Sequence, residues 1–121
     1  MRLPADLRMK ATGEFARVRA EGTSFPGRFV VLSVLRATEV EKFRFGLITS
    51  KKLGNAVVRN RIRRSLRQVI REEQEKLADG LLLVIIGRWR AADAAVADLR
   101  HDVLRTAQRA GILKSSRPPK T

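Results

Sequence analysis

Apolar residues recur along this chain with two different periods, and the places where the period changes divide it into elements. Residues 55–77, NAVVRNRIRRSLRQVIREEQEKL, carry the clearest helical period. Val58, Ile62, Leu66, Val69 and Leu77 recur at spacings of three, four or twice four, which lines one side of a 3.6-residue turn. Asn60, Arg63, Arg64, Arg67 and Arg71 fall on the opposite side. Lys51, Lys52, Leu53 and Gly54 lead into this helix, Asn55 is its predicted N-cap, and Gly80 its predicted left-handed stop. Upstream, Thr12, Phe15 and Val18 predict a short helix capped by Thr12 and ended before Gly22. Downstream, Val96, Leu99, Val103 and Ala107 share a face of a third helix, capped at Ala92 or Asp93 and closed by Gly111.

Three stretches have the composition of strands. After a loop punctuated by Gly22, Pro26 and Gly27, residues 28–35 (RFVVLSVL) are rich in β-branched and aromatic side chains. In residues 42–50 (KFRFGLITS), Phe43, Phe45, Leu47 and Thr49 alternate with a second set, which gives one better-buried face. These two strands are predicted to pair as an antiparallel hairpin. Residues 81–86 (LLLVII) are apolar without interruption, as a central strand covered on both faces would be. The order α-β-β-α-β-α predicts an α+β fold, a small mixed sheet of three to four strands packed with helices. If the last strand runs parallel to one of the first two, the long helix is a crossover, and the general handedness rule makes it right-handed.

The 121 residues suit a single domain, residues 1–121, with order expected over about 7–113, an arm at 1–6 and a basic tail at 114–121. The start of the chain lacks the apolar core of a signal peptide, and the run 81–86 is far too short to cross a bilayer. The absence of cysteine removes disulfides and thiolate metal sites. A cytoplasmic, membrane-free protein is expected.

Charge changes this picture from a fold to a function. The formal net charge is +14, from 26 Lys and Arg against 12 Asp and Glu. No acidic residue stands between Glu41 and Glu72, where Lys42, Arg44, Lys51, Lys52, Arg59, Arg61, Arg63, Arg64, Arg67 and Arg71 all fall. Solvated helix faces mix signs, because like charges at helical spacing repel. A one-signed face rich in arginine suits phosphate, which accepts two parallel hydrogen bonds from a guanidinium. The expected partner is nucleic acid. RNA is favoured over DNA, since this helix leads out of a sheet rather than belonging to a compact three-helix reader.

Catalytic groups are scarce. His101, the only histidine, lies beside Asp102 in a helix with no partners for a triad or a metal cluster and is expected to be structural. Glu72, Glu73, Glu75 and Asp79 gather at a helix end among Gln74 and Lys76, as a solvated face would. No catalytic residue and no metal site is predicted in the protein.

The stretch 51–68, KKLGNAVVRNRIRRSLRQ, resembles the signature of the bacterial ribonuclease P protein subunit. The run Gly54, Asn55, Ala56, Val57 is followed by Arg59, Asn60, Arg61, then by the basic pair Arg63 and Arg64 and by Arg67, with the family's spacing throughout. Arg63 stands where the family often has Lys, and Gln68 where it often has Glu. The resemblance extends over about residues 7–113. It implies a non-catalytic subunit bound to a large catalytic RNA that, with magnesium ions, removes the 5′ leader of precursor tRNA. It implies that Lys51, Lys52, Asn55, Arg59, Asn60, Arg61, Arg63, Arg64 and Arg67 contact that RNA, and Arg71 continues the same face. It further implies a left-handed crossover, against the general rule, and one protein copy per RNA with no cofactor held by the protein alone.

A cleft between the first helix and the sheet would hold the single-stranded leader, with Phe15 as an aromatic that can stack on a base. From its position alone Phe15 is equally an ordinary core residue. Arg19 and Ser33 occupy cleft positions where the family often carries a second aromatic and a tyrosine, so leader binding here would rely more on charge. Two other functions compete: a ribosomal-type or general RNA-binding chaperone with no role in cleavage, and a metal-dependent nuclease built on Glu72, Glu73 and Asp79.

Overall fold

The computed structural model describes residue 9 and residues 12–114. The predicted arm at 1–6 and the tail from residue 115 onwards lie outside the described residues. Three helices, α1 (Thr12–Glu21), α2 (Ala56–Glu73) and α3 (Val96–Ala110), pack on one sheet of four strands, β1 (Thr23–Pro26), β2 (Val30–Arg36), β3 (Phe43–Ile48) and β4 (Leu81–Gly87). The architecture is α+β, as the alternation of periods predicts.

Sheet order is β1-β2-β4-β3. The strands β2 and β3 therefore do not form the predicted hairpin. β4 lies between them, antiparallel to β2 and parallel to β3. The reason is in its composition: seven residues apolar on both faces are best satisfied in the middle of a sheet, with ladders on both edges. The hairpin that does form joins β2 to β1, a four-residue edge strand in the stretch expected to be loop. Pro26 can end β1 because an edge strand needs only one ladder. The parallel pair β3 and β4 is connected through α2, which makes α2 the crossover helix.

Alternation within the strands sends side chains to two different layers. Val30, Leu32, Val34, Phe43, Phe45, Leu81, Leu83 and Ile85 join Ile62, Leu66, Val69 and Ile70 of α2 and Leu99, Val103 and Ala107 of α3 in the larger core. The opposite face packs Leu82 and Val84 with Val18 of α1, Ala37 and Val40.

Helix ends follow sequence with two corrections. Asn55 caps α2 as predicted, its side-chain oxygen accepting from Val58 N at 3.0 Å. Gly54 turns the chain into the cap at φ 135°, a conformation that favours glycine. The far end, however, closes early through a 3₁₀ turn (Gln74–Lys76), and Gly80 (φ 71°) serves the turn into β4 instead. Leu77 has left the helix to bridge Leu113. In the second correction, Ala92 and Asp93 belong to another 3₁₀ turn (Trp89–Asp93), and α3 begins one turn later. There Asp98 reaches back to accept from Ala95 N at 3.0 Å, and Gly111 ends the helix at φ 73° as expected.

The buried carboxylate Asp102 of α3 fastens the β1–β2 hairpin to the helix layer. Its oxygens accept from the backbone N–H groups of Arg28, Phe29 and Val30 at 2.9, 2.8 and 3.1 Å.

Candidate nucleic-acid interface

The apolar side of α2 is spent on the core, so its polar side must face outward. Asn60 and Arg64 are exposed, and Arg59, Arg61, Arg63, Arg67 and Arg71 are half-buried along its flanks. Lys51 and Lys52 extend the positive surface from the 3₁₀ turn Lys51–Leu53, which Ser50 caps at 3.3 Å from Lys52 N. Arg61, Arg64, Arg67 and Arg71 line a shallow groove with Ser65 and Gln68.

Within this surface the predicted residues divide by what already holds them. Arg63 donates to Thr49 Oγ1 at 2.9 Å and to Asn60 Oδ1 at 2.8 Å. A guanidinium has five donors, so these two bonds fix its plane and leave others for an external acceptor. Arg61 is committed differently, its fork gripping the backbone carbonyls of Ala92 and, at 3.4 Å, Ala94. Arg59 Nε is the one side-chain polar atom found buried and without a partner among the described residues. The side-chain oxygen of Asn55 is taken by its capping bond.

Three of the four clustered acidic residues are paired with cations outside this face. Glu72 and Glu73 meet Arg100 of α3, Glu73 also meets Lys76 at 3.0 Å, and Asp79 lies 3.7 Å from Lys114. The hydrogen bond from Arg100, and then that from Gln68, hold the Glu72 carboxyl below the usual range. Among the described residues no group of three or more His, Asp or Glu is placed to hold a metal ion, and no helix is long and apolar enough to cross a membrane. His101 is exposed on α3.

The second predicted site lies across the sheet. Phe15 of α1 rests on Gly46 of β3, where even a Cβ would meet the ring at 2.2 Å. The aromatic is thus half-buried and packs against the smaller core cluster. Ser33 is buried, its hydroxyl 2.8 Å from that of Ser24 on β1, and Arg19 is exposed at the last turn of α1. Register places Ser24, Ser33, Val84 and Gly46 in one row across the four strands.

One residue escaped the sequence reading. Trp89 is 63% exposed, with the Arg90 guanidinium 5.0 Å from its ring centroid. The available signal was the chain's only tryptophan flanked by two arginines directly after the central strand.

The Ribonuclease P family profile matches residues 3–111. A ribonuclease P protein component of Geobacillus kaustophilus is 38% identical over 112 residues, covering 93% of each chain. Another, from Gluconacetobacter diazotrophicus, is 40% identical over 106 residues, covering 87% of this chain and 91% of that protein. The solved Staphylococcus aureus RNase P protein superposes with a TM-score of 0.82 at 28% identity, covering 89% of this chain and 98% of that one. The Thermotoga maritima RNase P protein, at 22% identity, shares the fold with a TM-score of 0.76.

Proposed function

This chain belongs to the ribonuclease P protein family, and from that premise we propose how its surfaces divide the work of tRNA 5′ processing. The protein is the protein subunit of ribonuclease P, an endoribonuclease, and its partner is the ribonuclease P RNA. The RNA carries the chemistry, and the basic face of α2 binds it. Lys51, Lys52, Arg63, Arg64, Arg67 and Arg71 neutralise phosphates, Asn60 orients Arg63, and Asn55 and Arg61 keep the helix start and the neighbouring turn in place. Arg59, half-buried on the same flank, adds its charge to this surface.

The observation that carries this reading is the one-signed arginine row, with Glu72, Glu73 and Asp79 beyond its end already paired to Arg100, Lys76 and Lys114. Those pairs also weigh against a magnesium ion held by the protein itself. Glu72, Glu73 and Asp79 are held by cations, and magnesium belongs to the RNA holoenzyme. This argues against a protein-borne nuclease.

The substrate is precursor tRNA, and its single-stranded 5′ leader occupies the cleft between α1 and the sheet. Phe15 stacks on a base there, Arg19 meets a phosphate, and the Ser24–Ser33 pair offers hydroxyls. One protein copy per RNA, working in the cytoplasm, completes the proposal. By lowering repulsion between two RNAs and tethering the leader, the subunit binds precursor better than product.

The test is single-turnover cleavage of a 5′-extended precursor tRNA by a bacterial ribonuclease P RNA at low magnesium, with and without the protein. Stimulation that requires the RNA, and is smaller for a leaderless precursor, is expected. Binding without stimulation would favour the general RNA chaperone. Arg64→Ala and Arg67→Ala should each flatten the dependence of RNA affinity on salt by up to about one unit in the log–log slope.

A further inference from the structure

Trp89 stands on a turn that is held from several sides. Arg88 N donates to Phe29 O at 2.9 Å, and the Arg88 guanidinium donates to Gly27 O at 2.7 Å. Ala91 is buried and closes the turn on Arg88 O at 2.8 Å. Arg61 of α2 grips the carbonyls of Ala92 and Ala94 from the other side. The indole is therefore presented by a fixed backbone, and leaving it 63% exposed forgoes the burial that ordinarily stabilises a large aromatic.

Its surroundings indicate what could cover it. The turn packs against both the Lys51–Leu53 turn and α2. On the flank of α2 that Arg61 joins to the turn, Val57 lies four residues before Arg61 and is 74% exposed, and Arg64 lies three after it. Arg90 stacks its guanidinium on the indole at 5.0 Å. Asp93 is the only carboxylate in these two turns and the α2 stretch up to Arg71. An apolar ring in so positive a setting fits a ligand that is aromatic and anionic at once, which describes a nucleotide better than an apolar protein surface.

We propose that Trp89, backed by Arg90, is a stacking platform for an unpaired base of the ribonuclease P RNA bound along α2. The platform rests on the reading of α2 as the RNA-binding face, and it adds base stacking to a surface otherwise described by phosphate contacts. It lies outside the α1 cleft assigned to the leader, so the base belongs to the catalytic RNA.

Because Trp89 is the sole tryptophan and tyrosine is absent, the intrinsic emission of the whole protein reports this one site. The full chain would be titrated with ribonuclease P RNA, with precursor tRNA and with anionic phospholipid vesicles, while gel shift measures RNA binding independently. The expected result is quenching by ribonuclease P RNA that saturates together with the gel shift. Trp89→Ala should weaken that binding by about 5- to 100-fold, and Trp89→Phe should stay within about threefold of the parent. A normal gel shift with unchanged emission, and with Trp89→Ala binding like the parent, would overturn the platform and leave RNA binding by α2 intact. No gel shift at all would overturn both. An emission change only with precursor tRNA or only with vesicles would overturn the assignment to the catalytic RNA. Circular dichroism melting of Trp89→Ala separates lost stacking from lost folding.

Discussion

The two faces of the sheet are made from the same strands and are covered unequally. Beneath α2 and α3, alternate residues of β2, β3 and β4 are large aliphatics and phenylalanines, all buried against two helices. Beneath α1, a smaller cluster of Leu82, Val84, Val18, Ala37 and Val40 sits beside a row that runs Ser24, Ser33, Val84 and Gly46, and the cover is one ten-residue helix carrying a half-buried phenylalanine. The first face is closed with side chains large enough to exclude water. The second has a smaller apolar cluster and one row that is small and partly polar, with the Ser24 and Ser33 hydroxyls in line with Val84 and with Gly46 under the Phe15 ring. Most of the buried apolar side chains lie in one layer, and the other is the face on which the leader site is proposed.

Truncation on the closed face should produce the largest effect. Leu66 has no exposed surface, and Leu66→Ala should cost about 3 kcal/mol of unfolding free energy, measured by urea denaturation. Phe15→Ala removes a larger side chain from the open face and should cost only about 1 kcal/mol, because the ring is half-exposed at the start. Equal losses would break the comparison. Next in size is Asp102→Asn, expected to cost about 2 kcal/mol, since an amide cannot accept from all three backbone donors of residues 28–30 without turning its own N–H₂ toward one of them. Faster hydrogen exchange confined to β1 and the start of β2 would confirm that this carboxylate fastens the hairpin.

Legibility in the sequence follows the same division. The closed layer was readable because periodicity reports burial: Ile62, Leu66 and Val69 of α2 and Leu99, Val103 and Ala107 of α3 are where their spacing puts them. The central place of β4 was readable from its composition, but which strands flank it was not: strand neighbours in sequence are natural partners, and nothing local in β2 or β3 forbids their pairing. β1 was hidden by Pro26 and by its length of four. α3 starts later than its spacing suggests: residues 89–93 form a 3₁₀ turn whose end Arg61 holds through the carbonyls of Ala92 and Ala94, and Asp98 caps the helix at Ala95. The basic face of α2 was legible as a pattern of charge. Which arginine is already engaged by the protein, and that Trp89 is left outside, depend on neighbours distant in sequence.

A binding measurement sharpens the comparison further. Phe15→Ala should lower the preference for a leader-bearing precursor over a leaderless one by about fivefold, the weaker end of single-base stacking, with RNA affinity through α2 unchanged. Leu66→Ala, assayed below its unfolding transition, should leave that preference intact. Gly46→Val supplies an independent check, because its side chain must displace the Phe15 ring without touching α2. A leader preference that follows stability across these three variants would mean that the open face contributes no contact of its own.

The smallest expected effect concerns acid. Each face is tied at its edge by an exposed pair, Arg17–Glu39 beside α1 and Arg100–Glu72 between α3 and α2. Hydrogen bonding from the arginine is the main cause that holds each glutamate below the usual carboxyl range, with its own backbone bond adding for Glu39 and Gln68 for Glu72. A carboxyl depressed on folding contributes stability that is fully present above its unfolded pKa and lost as pH falls through the folded one. The urea midpoint should therefore be level from pH 7 to about 5 and decline slightly below about 4, less so at high salt, because both pairs are open to solvent. Glu72→Gln should remove part of that decline through the closed layer, and Glu39→Gln part through α1. If only Glu72→Gln flattens the profile, the α1 edge is held by packing alone, and the open face is looser at neutral pH than its ion pair suggests.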